Sequence, residues 1–593
     1  MKIILILLIF GTYVFSSKLP DNCMLCHKNT TPMDRYHPYS RFGCASCHGG
    51  DKYATTMDRA HQGMVLNPSR LGNAKIFCGK CHKNIIKRVN SSIMNNMHGI
   101  FDVLRYQFLQ TKTIRHTKGI FFVKNIPTSK QTLAESHFSK MCAACHINQN
   151  EKIFTTNRKR GGGCVDCHRI SGAKEIKVLN NKLTLIHPKL STKIPSKNCL
   201  KCHNRSNRIG LSYFGKFESE GYGTPYHNGK LTHREGRDRF YYNLPADIHH
   251  KIGGLDCIDC HTQTGVMGDG KYHNHMEGAE DISCRDCHSP KFESSSKSYL
   301  TDMLITLNHN MPYPKEVAVT SKKGTPIYNL QKNGKTITFY RKRDGKAFKM
   351  PLLNNAPYHT EAIHKKLACS ACHSSWIPSC YGCHEVYFKD AKQYDWIKHK
   401  MTKGNWMELR SYLRYESPTL AVGYNKKIMP AAPGCQVITT IYGKTKYGKT
   451  TVKHAFHSFA YAAWDPHTTQ LKSRTCIDCH FNPRTLGLGA GILNLKNDKI
   501  TFTPFYKSKK NGLPISYPID ALISKNGKQY QTFSRKYARG FNKKEVYKII
   551  EAYKCIICHN SWNDKIYKNF KKSKKLFYSG KTVCYKEIFG NKK

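Results

Sequence analysis

The residues with the clearest chemical potential are cysteines and histidines arranged in a five-residue unit, Cys-x-x-Cys-His. Two thiols three residues apart can form thioethers to one porphyrin, and the adjacent imidazole can then bind its iron. The spacing therefore predicts covalent attachment of c-type haem. The unit occurs twelve times, and we number these motifs in chain order from their first cysteines: Cys23, Cys44, Cys78, Cys142, Cys164, Cys199, Cys257, Cys284, Cys369, Cys380, Cys476 and Cys555.

Paired cysteines at this spacing are also typical of zinc ribbons and redox-active dithiols. Neither site requires histidine next, yet histidine follows in all twelve motifs. The predicted cofactor is therefore haem c, twelve groups in all. The second thioether cysteines would be Cys26, Cys47, Cys81, Cys145, Cys167, Cys202, Cys260, Cys287, Cys372, Cys383, Cys479 and Cys558. The proximal iron ligands would be His27, His48, His82, His146, His168, His203, His261, His288, His373, His384, His480 and His559.

Two cysteines, Cys435 and Cys584, lie outside the motifs. They could be spare thiols or form one disulfide in an oxidising compartment. The sharper hypothesis is that Cys435, in the stretch PAAPGCQV, lies near a haem and takes part in chemistry.

The second axial ligand separates electron transfer from catalysis, because an iron with two protein ligands transfers electrons and an open iron can bind substrate. Of 31 histidines, 19 lie outside the motifs, which is enough for twelve bis-histidine irons. The alternative for each is an ordinary surface histidine. The predicted distal ligands are His37, His61, His98, His137, His187, His227, His250, His275, His359, His364, His399 and His467.

Several candidates stand just before a motif, where a histidine can ligate a neighbouring haem while its own motif binds the next. The motifs at Cys369 and Cys380 begin eleven residues apart. Their two haems are therefore predicted to be near neighbours within a wire.

The N-terminus indicates export. Lys2 precedes an apolar run from Ile3 to Phe10, and Val14 to Ser16 forms a small-residue cleavage pattern. This predicts a signal peptide over 1–17. An uncleaved anchor is the alternative, but the run is shorter than the roughly 20 residues that a spanning helix needs. The predicted location is the periplasm, the outer-membrane surface or the exterior, with no transmembrane segment in the mature chain.

The formal net charge of +57 raises the question of nucleic-acid binding. Haem propionates would offset part of this charge, so we favour docking to acidic redox proteins and predict no nucleic-acid partner. Self-assembly into a filament is a further partner hypothesis.

Motif density divides the chain. We predict a signal peptide at 1–17, an eight-haem region at 18–290 and a β-rich insertion at 291–365. A region with haems nine to eleven follows at 366–480, and 481–593 carries a β-like segment, the twelfth haem and a basic tail. Asn333-Gly334 and Asp344-Gly345 predict hairpin turns. The predicted fold class is a mostly irregular and α-helical chain wrapped around a haem chain, with small β elements in the C-terminal half.

The twelve motifs resemble those of large multihaem c-type cytochromes of anaerobic respiring prokaryotes. That resemblance implies proteins that carry electrons across the periplasm, through the outer membrane with partners, or along the cell exterior. Many enzymes of this class use Cys-x-x-Cys-Lys at the catalytic haem, and this chain has no such unit.

The leading hypothesis is thus an exported dodecahaem electron carrier without catalytic residues. The alternative is a terminal reductase of a sulfur or nitrogen oxyanion, with one open-site haem near Cys435. A third hypothesis, a protein that stores electrons, would rely on the same haems and the same electron hopping as the carrier.

Overall fold

The computed structural model divides the chain into two compact units, 1–86 with 162–194 and 87–161 with 195–593, and each is described by itself. The signal-peptide prediction and Cys435 lie outside the described residues. The structure describes residues 20–114, 118–148, 162–171, 176–179, 182–185, 187–204, 209–218, 226–227, 230–231, 241–294, 308–360, 364–434, 437–444, 450–455, 459–496, 499–506 and 515–590.

The smaller unit consists of short helices and two small β pairings. Its described buried apolar side chains are Leu71, Ala74 and Ile86, which is a very small core for a unit of this length. Its helices are Cys23–Cys26, Tyr39–Phe42, Ala45–His48, Met57–His61, Leu71–Ile76 and Val165–His168, and Gly79–Ser91 begins in it. Its paired strands are Arg169–Ser171 with Lys189–Leu190, and Ile176–Leu179 with Lys182–Leu185.

The larger unit also has mostly short helices. Within the described residues, we find no helix that combines the length and apolar character of a membrane-spanning segment. The α-helices are Ile93–Asn96, His98–Gln107, Ile120–Asn125, Leu133–His137, Ser196–Cys199, Ile209–Tyr213, Ile248–Lys251, Cys257–Cys260, Gln263–Met267, Met276–Ala279, Cys284–His288, Pro357–Thr360, Cys369–His373, Cys476–His480, Lys543–Glu551, Tyr553–Ile556, Phe570–Tyr578 and Val583–Phe589. Tighter or wider turns occupy Thr128–Lys130, Phe138–Cys142, Ala143–Cys145 and Lys565–Asn569.

Three larger sheets lie in the C-terminal half of the chain. The five-stranded sheet contains Lys291–Ser294, Glu316–Val319, Pro326–Asn333, Thr336–Tyr340 and Ala347–Lys349. The long-hairpin sheet contains Ile377–Asp395, Lys400–Glu416, Val437–Lys444 and Thr450–Ala455. The central sheet contains Thr419–Val422, Ile428–Pro433, Ala460–Ala463 and Thr532–Phe533. Smaller pairings join Lys216–Glu218 with Tyr241–Asn243, Tyr226–His227 with Lys230–Leu231, and Gly491–Lys496 with Lys499–Pro504.

The turns of the five-stranded sheet follow from its sequence. Asn333 pairs with Thr336 across the turn that contains Gly334, whose φ is +61°. Glycine adopts this left-handed conformation without a Cβ clash, which is why Asn-Gly predicts a tight hairpin.

The predicted fold class is wrong. Strands are not confined to small elements: one hairpin pairs strands of 19 and 17 residues, and further strands occur in the N-terminal half. In the long intervals between motifs, buried backbone N–H and C=O groups need hydrogen-bond partners. Apolar and polar residues alternate in these intervals, and this pattern favours sheets. The strand Ile377–Asp395 contains the tenth motif, and interpreting that motif as a haem-binding turn concealed the strand.

The sheets also provide cores of protein side chains. The largest surrounds the central sheet, where Phe459, Tyr461, Leu522 and Ile523 are almost completely buried. The larger unit therefore has a core built from its own side chains.

Candidate haem sites

Most motifs form one helical turn. The histidine N–H donates to the carbonyl of the first cysteine at 2.8 to 3.0 Å in the first, second, third, fifth, sixth, seventh and twelfth motifs. Single helices cover the eighth, ninth and eleventh motifs, and the fourth forms a tighter turn. A helical turn brings residues three apart onto one face, so both thiols can reach one ring.

Three motif helices begin with a capping box. The residue before the first cysteine is Asp256, Ser283 or Thr475, and an aspartate precedes the second cysteine in each case. The two side chains satisfy backbone N–H groups at the start of the helix. The residues inside and beside these motifs therefore fix the turn that presents the cysteines.

Asp21 links the first two motifs. Its carboxylate accepts hydrogen bonds from the backbone N–H of Cys23 at 3.2 Å and of Ala45 at 2.9 Å. Burial raises the pKa of Asp21, but these hydrogen bonds outweigh burial and hold it below its ordinary value. Asp21, Cys23 and Cys44 bring their ligand atoms within 4.8 Å of one another, a spacing that the shared cap explains without a metal.

Six motif histidines face a histidine from outside the motifs across a nearly constant gap. The ring centres are 6.0 Å apart in one pair and 6.1 Å apart in five. The pairs are His27–His61, His82–His37, His48–His187, His261–His467, His288–His249 and His480–His364.

This gap fits one iron held between two imidazoles. A metal–imidazole bond is about 2 Å long and each ring nitrogen lies about 1.2 Å from the ring centre, so two imidazoles on opposite sides of one metal should have centres about 6.4 Å apart. Direct ring stacking places centres at about 4.5–7 Å, but six repetitions of one distance, always between a motif and a non-motif histidine, indicate a shared ligand geometry.

One ring nitrogen is already engaged in six motif histidines, three of which belong to the pairs above. Nδ1 donates to a backbone carbonyl in six motif histidines, and this fixes the tautomer that leaves Nε2 available to a metal. The distances run from 2.7 to 3.2 Å for His48, His146, His168, His288, His373 and His480.

Distal partners show the same arrangement. His249 Nδ1 donates to Asp247 Oδ1 at 2.8 Å, and His187 Nδ1 donates to the carbonyl of Pro188 at 3.1 Å. Burial lowers the pKa of His364 to about 4, with a smaller contribution from the neighbouring His480. The imidazole is then neutral at physiological pH, as an iron ligand must be.

The predicted distal ligands divide into two groups. Five of them, His37, His61, His187, His364 and His467, face motif histidines as described above. His249 also faces a motif histidine, whereas the sequence predicts its neighbour His250 as the ligand. The sequence Asp247-Ile248-His249-His250 does not distinguish the two adjacent histidines, because helix phase decides which of them faces the motif histidine.

His250 and His137 have other partners. The His250 ring packs edge-on against Phe214 with centres 4.4 Å apart. His137 is buried, and its Nε2 lies 2.6 Å from Glu385 Oε2. The nitrogen that would bind iron is therefore engaged by a carboxylate.

The other predicted distal ligands are not members of the six histidine pairs that the structure describes. The His98 ring stacks on Tyr272, and His275 Nε2 donates to the Ser534 carbonyl. His359 Nδ1 contacts Asn354, and His399 interacts electrostatically with the fourth-motif His146. The side chain of His227 lies outside the described residues.

The tenth motif differs from the others. It lies in the strand Ile377–Asp395, where Cys380 is buried against Trp376, Phe217 and Leu413. The strand is paired on both sides at Cys383, whose own side chain and that of His384 lie outside the description. A porphyrin attached here would require the strand to open around Cys380, and we assign no electron-transfer step to this motif.

The other motifs form continuous rows within each unit. In the smaller unit the first motif contacts the second, and charge interactions connect the second with the third and the third with the fifth. In the larger unit the order is fourth, sixth, seventh, eighth, ninth, eleventh and twelfth. Hydrogen bonds link successive motifs at five of these nine steps, and the cysteines lie within electrostatic range of one another at the other four, so the attached groups would be close neighbours.

No protein-family model, curated protein or solved structure matches this chain. A functional assignment therefore depends on the sites themselves.

Proposed function

We propose that this protein is an exported dodecahaem c-type cytochrome that carries electrons between redox partners along closely spaced haems. The observation that carries the proposal is the set of six histidine pairs with ring centres 6.0 to 6.1 Å apart. Haem, when bound, supplies an iron that cycles between ferric and ferrous states.

The small core of the smaller unit supports the proposal. A unit with so few buried apolar side chains gains too little from burial to offset chain entropy. Four covalent porphyrins would supply the missing apolar surface, in the same way that small domains depend on metals or disulfides.

The chain's own residues set the electron path. Neighbouring motif turns would hold the attached groups close, while Nδ1 hydrogen bonds keep six of the motif imidazoles in one orientation. The six histidine pairs would hold an iron between two imidazoles. The reductase alternative differs in one measurable respect, since it requires an iron whose sixth position is open.

The charge supports an acidic redox partner. Lysine and arginine exceed aspartate and glutamate by 57, and a field of this sign accelerates association with a negatively charged protein. Association should slow as salt rises, because exposed charges are screened beyond about 8–10 Å at physiological ionic strength.

The test is the intact mass of protein purified from an exporting host, combined with peptide mapping of each motif. We expect a peptide that lacks its signal segment and carries twelve haem groups. Electron paramagnetic resonance of the oxidised protein should then show low-spin iron throughout. Bound zinc, or unmodified thiols across the motifs, would refute the proposal, and a high-spin iron that binds nitrite or sulfite would favour the reductase.

A further inference from the structure

The last helix brings a cysteine from outside the motifs to the twelfth motif. Cys584 is the second residue of Val583–Phe589, and Thr582 caps this helix by accepting a hydrogen bond from the Tyr585 N–H at 3.2 Å. Tyr585 and Phe589 pack on Phe577 with ring centres 5.5 and 6.1 Å away. These contacts fix the position of the helix, and therefore of Cys584.

The Cys584 sulfur lies 3.6 Å from Nε2 of His559, the histidine of the twelfth motif. The other ring nitrogen, Nδ1, lies 3.0 Å from the Asp564 carboxylate. Nε2 is thus the ring nitrogen left available to an iron, as in the six motif histidines whose Nδ1 bonds a backbone carbonyl. The atom next to it is a cysteine sulfur, whereas six other motifs present a second histidine.

We propose that the Cys584 thiolate is the second axial ligand of the iron at the twelfth motif. This inference rests on the proposal that the motifs carry haem. A metal held at about 2.0 Å by imidazole and about 2.3 Å by thiolate requires about 4.3 Å between nitrogen and sulfur. The sulfur therefore moves outward by about 0.7 Å from its observed position, a small shift for a short helix at the surface.

Ligation changes the thiol in a defined way. The S–H proton leaves to solvent as the iron–sulfur bond forms, and no electron is transferred in that step.

The consequence is a distinct centre at one end of the row in the larger unit. Thiolate donates more electron density to iron than imidazole does. The twelfth iron should then have a lower reduction potential than the bis-histidine irons, which makes this end suited to a strongly reducing donor.

The experiment compares wild type, Cys584→Ala and Cys584→His in the full-length holoprotein, with Cys435→Ala as the matched control. Magnetic circular dichroism detects sulfur-to-iron charge transfer, electron paramagnetic resonance counts spin states, and peptide mapping reports haem at Cys555 and Cys558. We expect the wild type and Cys435→Ala to show one thiolate-ligated ferric iron. Cys584→Ala should lose that signal and gain one high-spin iron that binds cyanide. Cys584→His should be entirely low-spin, with one potential raised.

Two results would overturn the inference. One is an unchanged spectrum in Cys584→Ala with haem still present at the twelfth motif. The other is a charge-transfer band that persists in Cys584→His, a variant that remains informative if the alanine variant does not accumulate. Absence of haem from the twelfth motif in the wild type would be recognised separately by mapping, and it would remove the site itself rather than its sulfur ligand.

Discussion

The adjacent histidines His249 and His250 offer the sharpest test of the site geometry. The His249 ring faces His288 of the eighth motif, with centres 6.0 Å apart and planes inclined by 54°. The next ring packs on Phe214 instead. We therefore expect His249→Ala to remove one axial ligand and His250→Ala to remove an aromatic contact.

The two substitutions are expected to change different properties, the spin state of one iron and the stability of the fold. His249→Ala should convert one iron from low spin to high spin while the haem count stays the same, because both thioether cysteines of the eighth motif remain. His250→Ala should leave every iron low-spin and reduce the free energy of unfolding by about 0.5–1.5 kcal/mol, the usual value of an aromatic pair.

Spin quantitation by electron paramagnetic resonance, with cyanide binding followed by absorbance, separates the two variants. Each variant serves as the control for the other, since the substitutions are identical and adjacent on one helix. A high-spin iron in His250→Ala but not in His249→Ala would refute the pairing and favour the choice made from sequence.

Three further outcomes are expected. His187→Ala should remove a low-spin signal of large anisotropy and His467→Ala a rhombic one, because their rings lie at 83° and 6° to their motif partners; identical difference spectra would contradict these angles. Glu385→Ala leaves buried Nε2 of His137 unpaired and should cost about 1–3 kcal/mol of stability in thermal unfolding, whereas an unchanged melting temperature would show that the pair is neutral. Burial raises the pKa of Asp269, but hydrogen bonds from a lysine and a histidine dominate and hold it well below its ordinary value. Its contribution to stability is complete above about pH 4 and is lost as pH falls towards the folded-state pKa, so Asp269→Asn should flatten the acid limb of the stability profile.

The motif turns could be predicted locally, but most of the sheets could not. A turn such as Ser283-Cys-Arg-Asp-Cys contains its cap, its helix and its ligands within a few residues. The long hairpin pairs Ile377 with Glu416 and Asp395 with Lys400, and its sequence carries a motif that favours a different local structure. Tertiary pairing overrides local preference here, as strand propensity depends strongly on context.

Ligand pairing shows the same division between local and long-range information. The surplus of histidines indicates distal ligation, yet it does not say which histidine meets which motif. His37 precedes the second motif and faces the third, while His467 precedes the eleventh and faces the seventh. Such pairings depend on how distant segments cross, and helix phase then decides between neighbours such as His249 and His250.

The tenth motif has the sequence for haem attachment but lies outside the row of neighbouring motifs. Its sequence satisfies the chemistry of attachment, since two thiols and an imidazole are present. Its surroundings are those of a sheet, with Cys380 buried in a side-chain cluster, and the row in the larger unit runs from the ninth motif directly to the eleventh. A twelfth group attached there would require the strand to open around Cys380, yet electron flow along the row would not depend on it. We expect attachment chemistry to prevail, so that peptide mapping finds haem on Cys380 and Cys383. An unmodified tenth motif would show that strand pairing prevails and would contradict the expected count of twelve, although the row itself would not be interrupted.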